Sequence, residues 1–566
     1  MLRYLLYLLK LLSVKHLVCL TFIILYSFIF SRPATAHIGS SGVIVQKQIG
    51  KYQLLVSVTP PDVVPGTAQV TVFVEKGNPT SIQGRPVYFF AGDEGAPEAD
   101  PLTLVGANQF QGAIWLMESG STSIQLTLSG PDGTVDVVVP ILATSTATRE
   151  MPAGTGAGLA VMGLLLFVML VTIIGASNAD GILAPGSARG RSFQRQRLIG
   201  MGIGGTFLVL ILTGGRMWWN SWADDYRTYQ LYKAPPLIST AKPDDGPGGV
   251  PQILLTMRPD TTGFANNGRR RRDFNLMVPD HGKLMHTFMV RLPSMDAFAH
   301  LHPTRRDSLT FETRLPNLPG GRYLLYTDVV YRSGYAETLT DTVDIPALSP
   351  ARQTSQIVDP DDSYLLTLPM GGKPQNTGTL ALDSDMAPCG KPGASTRLAD
   401  GSTMIWTDKP SPVLDAGQLY TLKFAVADPS GKATKLEPYL GMSGHAAILR
   451  SDGSVYIHLH PVGTYSMASE SMLVNRIADT TRTVPQLNGA RFRDSIDTYL
   501  SALKAKPIAH QYAALSSEMT AMNHTQTTNN MVTFPYAFPK AGNYRIWVQV
   551  KRNGKVLTGA FDTQVR

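Results

Sequence analysis

Two segments of the sequence repeat a pattern of histidines that is suited to metal binding. The first runs from His286 to Pro303 (HTFMVRLPSMDAFAHLHP) and the second from His445 to Pro461 (HAAILRSDGSVYIHLHP). Each segment begins with a histidine, passes through a turn sequence and ends in His-Leu-His-Pro. The 566-residue chain has only 11 histidines, and six of them lie in these two segments. The repetition indicates a shared chemical role.

The spacing within each segment predicts a β-hairpin with its histidines on one face. Successive side chains of a strand point to opposite faces, so His458 and His460 share a face. The turn sequence RSDGS then brings His445 opposite His460, and directly paired residues hold their Cβ atoms about 5 Å apart. In the first segment, His300 and His302 share a face in the same way, and the turn LPSMD brings His286 close to His302.

Three converging imidazoles favour copper, zinc or nickel, whereas a thioether sulfur favours Cu(I). We expect copper, with zinc as the less favoured metal. The alternative is that the histidines pack inside a sandwich and that the methionines fill gaps in a core. The predicted ligands are His286, His300, His302, His445, His458 and His460, with Met442 and Met467 as nearby thioethers.

Further soft ligands occur near the second hairpin. A polar insertion at about 471–530 contains or adjoins Met519, Met522, His524 and Met531, and we expect a short helix, a mobile loop and a flap over the site. Cys389 is a further thiol, for which burial as a small apolar residue is the favoured interpretation.

The first 36 residues have the pattern of a secretory signal, with a basic start, an apolar core and Ala34-Thr35-Ala36 as the cleavage sequence. The alternative is an uncleaved anchor. Cleavage after Ala36 would make His37 the first residue, whose amine and imidazole could chelate Cu(II) together. An incidental N-terminal histidine is the alternative, because no other histidine lies between His37 and the first later apolar run. Cleavage would also remove Cys19 and leave Cys389 without an internal disulfide partner.

Two apolar runs, 154–177 and 198–215, are long enough to cross a bilayer as helices. The segment between them carries four arginines and one acid, so the positive-inside rule places it in the cytoplasm and both flanks outside. Trp218, Trp219 and Trp222 are typical of the aromatic belt at a membrane–water interface. Packing of these side chains against other residues explains them equally. The net charge of +8 includes the run Arg269–Arg272, which this topology places outside, so we expect no nucleic acid partner.

The remaining sequence alternates apolar and polar residues between Pro, Gly and Asp turns, which predicts antiparallel strands. The fold class we expect is mainly β, with several immunoglobulin-like β-sandwich domains and a two-helix transmembrane hairpin. The repeated hairpin, followed each time by a glycine turn and a final strand pair, indicates a duplicated unit. The predicted divisions are a signal peptide (1–36), a sandwich (37–145), the helical hairpin (153–216), and two sandwiches with histidine hairpins (249–347 and 361–566).

The segments HIGSSG…VTPPDVVPGTAQVTVFV, HTFMV…AFAHLHP and GMSGHAAI…HLHP resemble the YtkA-like and CopC-like extracytoplasmic β-sandwich modules associated with copper handling. The resemblance implies an immunoglobulin-like sandwich and a copper-binding or copper-delivery role, with His445, His458 and His460 carried over from the hairpin motif. The chain departs from CopC-like sites at His37, which has no Asp-x-His partner.

These patterns predict a membrane-anchored, extracytoplasmic copper-binding protein of the bacterial inner membrane. Its expected partners are the metal ion, the lipid bilayer and another envelope protein that receives or donates metal. We expect no enzyme, because the sequence has no Gly-x-Ser-x-Gly elbow, HExxH helix, Walker loop or dinucleotide fingerprint. The alternative function is a non-catalytic assembly protein whose sandwiches bind a protein partner through an edge strand.

Overall fold

The computed structural model describes residues 42–148, 151–180, 184, 186–188, 190–234, 236–246, 249, 251–261, 273–347, 359–370, 395–407, 413–481, 483–521 and 530–566. The predicted signal peptide, His37, Cys389, the run 269–272, Met522 and His524 lie outside these residues. The mainly β architecture with two long apolar helices is confirmed.

The first sandwich packs two antiparallel sheets, with strand orders β1-β2-β3-β7-β6 and β5-β4-β8-β9. Alternation explains its strands: Val70, Val72 and Val74 of β3 are buried, whereas the residues between them are partly exposed. The strands are β1 (Val43–Ile49), β2 (Tyr52–Thr59), β3 (Gly66–Lys76), β4 (Ser81–Tyr88), β5 (Asp100–Pro101), β6 (Thr103–Gly106), β7 (Gln109–Leu116), β8 (Gly120–Gly130) and β9 (Gly133–Ala143).

The second sandwich consists of the sheets β10-β11-β16-β15 and β12-β17-β13-β14-β19, with β18 paired to β17. Residues 363–366, which the sequence analysis assigned to the third unit, pair with β14 and cover its edge. The strands are β10 (Leu237–Asp245), β11 (Pro251–Pro259), β12 (Met277–Val278), β13 (His286–Arg291), β14 (Ala297–Leu301), β15 (Thr304–Arg305), β16 (Phe311–Leu315), β17 (Gly321–Tyr331), β18 (Ala336–Ile345) and β19 (Ser363–Leu366).

The third sandwich repeats this arrangement, with sheets β20-β21-β23-β26 and β22-β28-β27-β24-β25. In both copies the first strand of the histidine hairpin pairs with the first strand of the final pair, which supports duplication. The strands are β20 (Ser395–Arg397), β21 (Thr403–Trp406), β22 (Val413–Leu414), β23 (Leu419–Ala427), β24 (His445–Arg450), β25 (Tyr456–Leu459), β26 (Met531–Ala537), β27 (Gly542–Arg552) and β28 (Lys555–Val565).

Two helices, α1 (Ala153–Asp180) and α2 (Arg191–Asp225), are long and apolar enough to cross a membrane. They pack against each other, and small residues allow the close approach: a Cβ at Gly204 would lie 2.9 Å from the Ile174 side chain. Helix α2 extends beyond the predicted apolar run and continues into a π-helical turn, Tyr226–Gln230. Short 3₁₀ turns occur at Asp93–Gly95 and Phe274–Leu276.

The polar insertion of the third sandwich contains helices rather than one short helix and a loop. They are α3 (Met467–Ala478), α4 (Gly489–Lys504) and α5 (Ile508–Ala521). Ser466 and Asn488 cap the first two helices, because their side chains accept hydrogen bonds from the backbone N–H groups of Ser469 and Arg491. Met519 lies within α5, and Met531 begins β26.

The second and third sandwiches pack through the outer faces of their hairpin sheets. Along β13 and β14, Met289, Ala299 and their alternate neighbours face the core of the second sandwich, whereas Phe288 and Phe298 face the third sandwich. Phe298 stacks on Trp547 with ring centroids 4.7 Å apart, and Tyr326 stacks on Tyr456 at 4.2 Å. The hairpin strands are therefore buried on both faces.

The first sandwich attaches to the loop after the second His-Leu-His-Pro. The Gln46 N–H donates to the Val462 carbonyl at 2.8 Å, and the Thr464 N–H donates to the Ile44 carbonyl at 3.0 Å. Lys47 of β1 also forms an ion pair with Glu470 of α3, and their side chains are only 6% and 0% exposed. All three sandwiches thus meet near the histidine hairpins.

Replacing Lys47 with Met should destabilise this attachment, because Glu470 would stay buried without its cation. Breaking a buried ion pair from one side costs about 3–5 kcal/mol. We expect a lower thermal midpoint and faster proteolysis of the first sandwich in the full chain. Arg322→Met is the control, because Arg322 pairs with Asp344 on the exposed surface and its loss should leave both readouts unchanged. Equal effects of the two substitutions would contradict the assignment.

Candidate metal centre

Seven histidines of the described part of the chain meet in one cluster between the second and third sandwiches. None of them is more than 9% exposed. Their positions follow from the outward faces of the two hairpins and from one turn that precedes β13. They are His281, His286, His300, His302, His445, His458 and His460.

The predicted register of both hairpins is confirmed. Thr287 pairs with Leu301 and Ala446 pairs with Leu459, which places His286 opposite His302 and His445 opposite His460. The ring centroids of these opposed histidines are 5.0 and 5.1 Å apart.

The two hairpins form a single centre, a possibility that the sequence left open. His458 of the third sandwich lies 5.4 Å from His286 and 5.7 Å from His300 of the second, measured between ring centroids. The reason is the packing of the two outer faces, which brings both groups of imidazoles into the same interface.

The cluster contains two sets of three histidines that are each suited to one ion. In each set, one ring nitrogen per residue lies within 4.8 Å of the other two. His286, His300 and His302 form the first set, all from the second sandwich. The second set takes His445 and His460 from the third sandwich and His281 from the second, so it needs both. His458 contacts both sets.

Sequence analysis did not identify His281. It lies in the turn Asp280–Lys283, with φ of 51° at His281 and 76° at Gly282. The third sandwich has the same turn at Tyr439–Met442, with Leu440 in the place of His281. The sequence signal for His281 is the His-Gly pair that begins five residues before the hairpin. Aligning the two copies on these turns would have revealed it.

Two ring nitrogens approach each other closely within the cluster. His286 Nδ1 lies 3.2 Å from His300 Nε2. The other nitrogens of these rings lie 3.1 Å from the Asp280 carbonyl oxygen and 2.9 Å from Gln549 Oε1. In the tautomers that donate to these two oxygens, the rings turn their lone pairs towards each other. A cation between them removes the repulsion, and two nitrogens that bind one ion tetrahedrally at about 2.0 Å are about 3.3 Å apart.

Three other histidines are oriented through Nδ1. His302 Nδ1 lies 2.8 Å from Asp362 Oδ1, and His460 Nδ1 donates to the Tyr465 carbonyl at 2.7 Å. His458 Nδ1 lies 3.4 Å from Asp328 Oδ2. Such partners fix the tautomer and leave Nε2 available as a ligand.

Several ring nitrogens that face the centre are unsatisfied. The Nε2 atoms of His302, His458 and His460 and both ring nitrogens of His445 are buried and have no hydrogen-bond partner among the residues that the structure describes. Burying a polar group without a partner is unfavourable by about 1–3 kcal/mol, so several in one place require a compensating interaction. A metal ion bound to these nitrogens would supply it.

Burial also favours the neutral, metal-binding form of three of the imidazoles. It lowers the pKa of His445 and His458 well below the usual value, and the neighbouring His460 lowers both further. The pKa of His460 falls to about 4, chiefly through burial and next through His281. Burial raises the pKa of Asp328 to about 6, although the hydrogen bonds from Thr338 and Tyr456 oppose this rise.

Each copy provides a hydrogen-bonding or charged partner for a histidine of the other copy. In the strand register, His286 lies opposite Asp328 and His445 lies opposite Gln549. Asp328 contacts His458 of the third sandwich, and Gln549 contacts His300 of the second. The two halves are therefore related in position but differ in charge.

A third group suited to a cation combines His302 with Asp359 and Asp362. Both carboxylate oxygens of Asp359 already accept from Lys283 Nζ at 2.8 Å, and Asp362 orients His302. These carboxylates thus support the histidine centre from outside.

The predicted thioether ligands lie in apolar surroundings. Met442 and Met467 are buried in the hydrophobic cluster of the first sandwich, together with Val45, Val462 and Tyr465. This matches the alternative that methionine fills gaps in a core, and the ligand role of these two residues stays a prediction.

Two cavities flank the centre. One of about 270 Å³ includes His286, His458 and His460 in its wall, together with Asp280 and Asp328. The other, of about 150 Å³, lies on the far side of His302, beside Asp359 and Asp362.

A family model described as "Domain of unknown function (DUF8832)" matches residues 396–485 and 500–566. The match includes the second histidine hairpin, but the description carries no activity, and the resemblance to copper-handling modules stays a prediction. No curated protein matches the sequence.

Solved structures with some similarity have very low TM-scores. Dimeric latent PorU from Porphyromonas gingivalis has 9% identity, covering 93% of this chain and 34% of its own, with a TM-score of 0.12. The FN1-FN3 domains of chicken CNTN1 have 6% identity, with coverages of 93% and 99% and a TM-score of 0.12. The E. coli alpha-2-macroglobulin in its native conformation has 7% identity, with coverages of 94% and 23% and a TM-score of 0.18. These values carry no argument about fold or function.

The buried imidazoles predict that the metal-free protein loses stability in acid. In the unfolded chain His460 binds a proton near pH 6.5, whereas in the folded protein it does so only near pH 4. The stabilisation of the folded state by neutral His460 is therefore complete above pH 6.5 and is lost as the pH falls to about 4. This shift corresponds to about 3 kcal/mol. We expect the thermal midpoint of the chelator-treated wild type to fall relative to His460→Gln over this range.

His510→Gln is the control, because His510 lies exposed on α5 outside the centre, and this variant should follow the wild type. A constant difference between the wild type and His460→Gln from pH 6.5 to 4 would contradict the expectation.

Proposed function

We propose that this chain is a membrane-anchored metal-binding protein of the bacterial cell envelope, in which the histidine cluster holds copper. The observation that carries the proposal is the convergence of buried ring nitrogens that have no hydrogen-bond partner among the described residues, beside the 3.2 Å contact between His286 Nδ1 and His300 Nε2. Imidazole nitrogen suits copper, zinc and nickel, so copper follows from the resemblance of the hairpins together with the ligand type.

The geometry favours two ions, one in each set of three histidines. The first ion would be bound by His286, His300 and His302, and the second by His281, His445 and His460. His458 contacts both sets and can complete the coordination of either ion. Three histidines leave one coordination position of the ion open, and imidazole is a ligand that copper binds well.

The burial of the ligands favours retention of the ions over rapid transfer to another protein. Transfer by ligand exchange requires an incoming ligand to reach the ion, and His300 and His445 are fully buried. We therefore propose storage or homeostasis as the role, with delivery requiring movement of the two sandwiches apart.

The membrane anchor is supported by α1 and α2. Arg191, Arg195 and Arg197 lie at the start of α2, on the segment that joins the two helices, and the positive-inside rule places that segment in the cytoplasm. The three sandwiches then lie on the extracytoplasmic side. The exposed Trp218, Trp219 and Trp222 on α2 suit the membrane interface, so the lipid bilayer is a proposed partner and nucleic acid is not.

An assembly protein is the second candidate, and one observation favours it. The first sandwich exposes Leu104, Val105, Trp115 and Met117 on or beside its edge strand β6 and neighbouring β7. Exposed apolar residues next to an open sheet edge suit a protein partner. This function predicts that partner binding survives the removal of the histidines.

Metal uptake by the purified full chain tests the main proposal. With Cu(I), Cu(II) and Zn(II) offered in turn, we expect two ions of copper per chain. His460→Ala should lose one ion, and His281→Ala should lose the same ion although it lies in the other sandwich, because both residues belong to the second set. Asp362→Asn should keep both ions and weaken one by about 10–100-fold, because it orients a ligand.

His510→Ala is the control for these substitutions and should bind both ions. Full uptake by the double variant His458→Ala with His460→Ala, or no uptake of any metal by the wild type, would overturn the proposed function.

A further inference from the structure

The 270 Å³ cavity beside the histidine centre is built by all three sandwiches. Val43 and Pro140–Leu142 come from the first sandwich, Val329 and Ala336 from the second, and Tyr456 from the third. The wall runs from Thr146, which is exposed, to His458 and His460, which are buried. The cavity therefore connects the surface with the centre.

The charged groups of this cavity are all acidic apart from its histidines. Asp280, Asp328 and Glu337 lie in its wall, and its described lining contains no lysine or arginine. A cavity lined by one sign of charge and walled by apolar residues concentrates ions of the opposite sign. The cavity thus attracts cations.

The inner end of the cavity presents imidazole nitrogens. His458 and His460 line it, both are at least nine-tenths buried, and the Nε2 atom of each has no hydrogen-bond partner within the described ranges. Asp328 also lines the cavity, and its Oδ2 atom lies 3.4 Å from His458 Nδ1.

We propose that this cavity is the loading route through which metal cations reach the histidine centre. The inference rests on the proposed function and adds the path and its selectivity. A cation entering near Thr146 meets the carboxylates of Asp328 and Glu337 and then exchanges these oxygens, and its water, for the Nε2 atoms of His458 and His460. The route admits small hydrated cations and disfavours anions.

The cavity on the opposite side of the centre is less suited to cation entry. It reaches His302, but Arg314 and Lys504 lie in its wall, and its Glu312 is paired with Arg306 at 2.7 Å. Its Asp359 is engaged by Lys283, and its Asp362 by His302. These cations offset the carboxylates there, so the two sides of the centre differ in electrostatic potential.

Loading kinetics of the full chain test the route. Thr338 lines the cavity and donates to Asp328 Oδ1 at 2.6 Å, so Thr338→Lys would place an ammonium group beside the Asp328 carboxylate. We expect Cu(II) loading to slow by about tenfold, with the final copper content unchanged, because the local attraction for cations is lost. Loading is followed by stopping the reaction with a chelator at increasing times and measuring the retained copper.

Two variants serve as matched controls. Thr338→Val removes the same hydroxyl without adding charge, and Thr342→Lys adds the same charge at an exposed position of the same strand. Both should load at nearly the rate of the wild type. Loading of Thr338→Lys at the rate of Thr338→Val would overturn the route.

Glu337→Gln keeps the test decisive if Thr338→Lys fails to fold. The Tyr331 hydroxyl donates to Glu337 Oε1 at 2.7 Å, and an amide oxygen can accept the same bond. This variant should load several-fold more slowly and reach the same copper content, and an unchanged rate would overturn the route. If the wild type binds two ions but none of the charge variants loads slowly, only the route fails. If the wild type binds no metal, the proposed function and the route both fail.

Discussion

The packing of two sheets through their outer faces is the constraint on which the rest of the structure depends. Phe288, Phe298 and Tyr326 of the second sandwich lie against Tyr456 and Trp547 of the third, and this apolar contact removes the hairpins from water on their second face. Arg545 reinforces it by donating to the Met295 carbonyl at 2.7 Å. Imidazoles that would otherwise be hydrated are enclosed at the end of this interface, where each nitrogen needs a partner.

The partners that the protein provides are placed mostly on the outer side of the rings. Asp362, Tyr465 and Asp280 bind the nitrogens that point away from the centre, and the nitrogens that point inward are left to one another. A core designed only for packing would use apolar residues here, because a half-satisfied polar network is less stable than an apolar one. The arrangement supports the proposal that the centre holds a metal ion.

The sequence predicted the elements well because each is specified locally. Alternation identified the strands, the turn sequences RSDGS and LPSMD set the hairpin registers, and two apolar runs identified the long helices. The insertion was less well predicted, since α3, α4 and α5 depend on packing against the rest of the chain. Leu503 and Leu515, for example, cover Gly282 in the turn that carries His281.

Most histidines of the cluster could be identified from the sequence, but their assembly into one cluster could not. Six of the clustered histidines were identified from spacing, because spacing within a hairpin determines which residues are opposed. The meeting of the two hairpins depends on contacts between residues more than 100 positions apart, such as His300 with Gln549 at 2.9 Å, and no local pattern encodes such contacts. His281 was not identified because its role depends on that long-range packing.

The exchanged contacts between the two copies have an evolutionary consequence. Asp328 of one copy supports a histidine of the other, Gln549 supports one in return, and His281 has no counterpart where Leu440 stands. A duplicated domain in which each copy still contained a complete site could lose one copy without penalty. Here the set of His281, His445 and His460 needs both copies, and each copy orients a histidine of the other, so neither copy can be lost without changing the cluster.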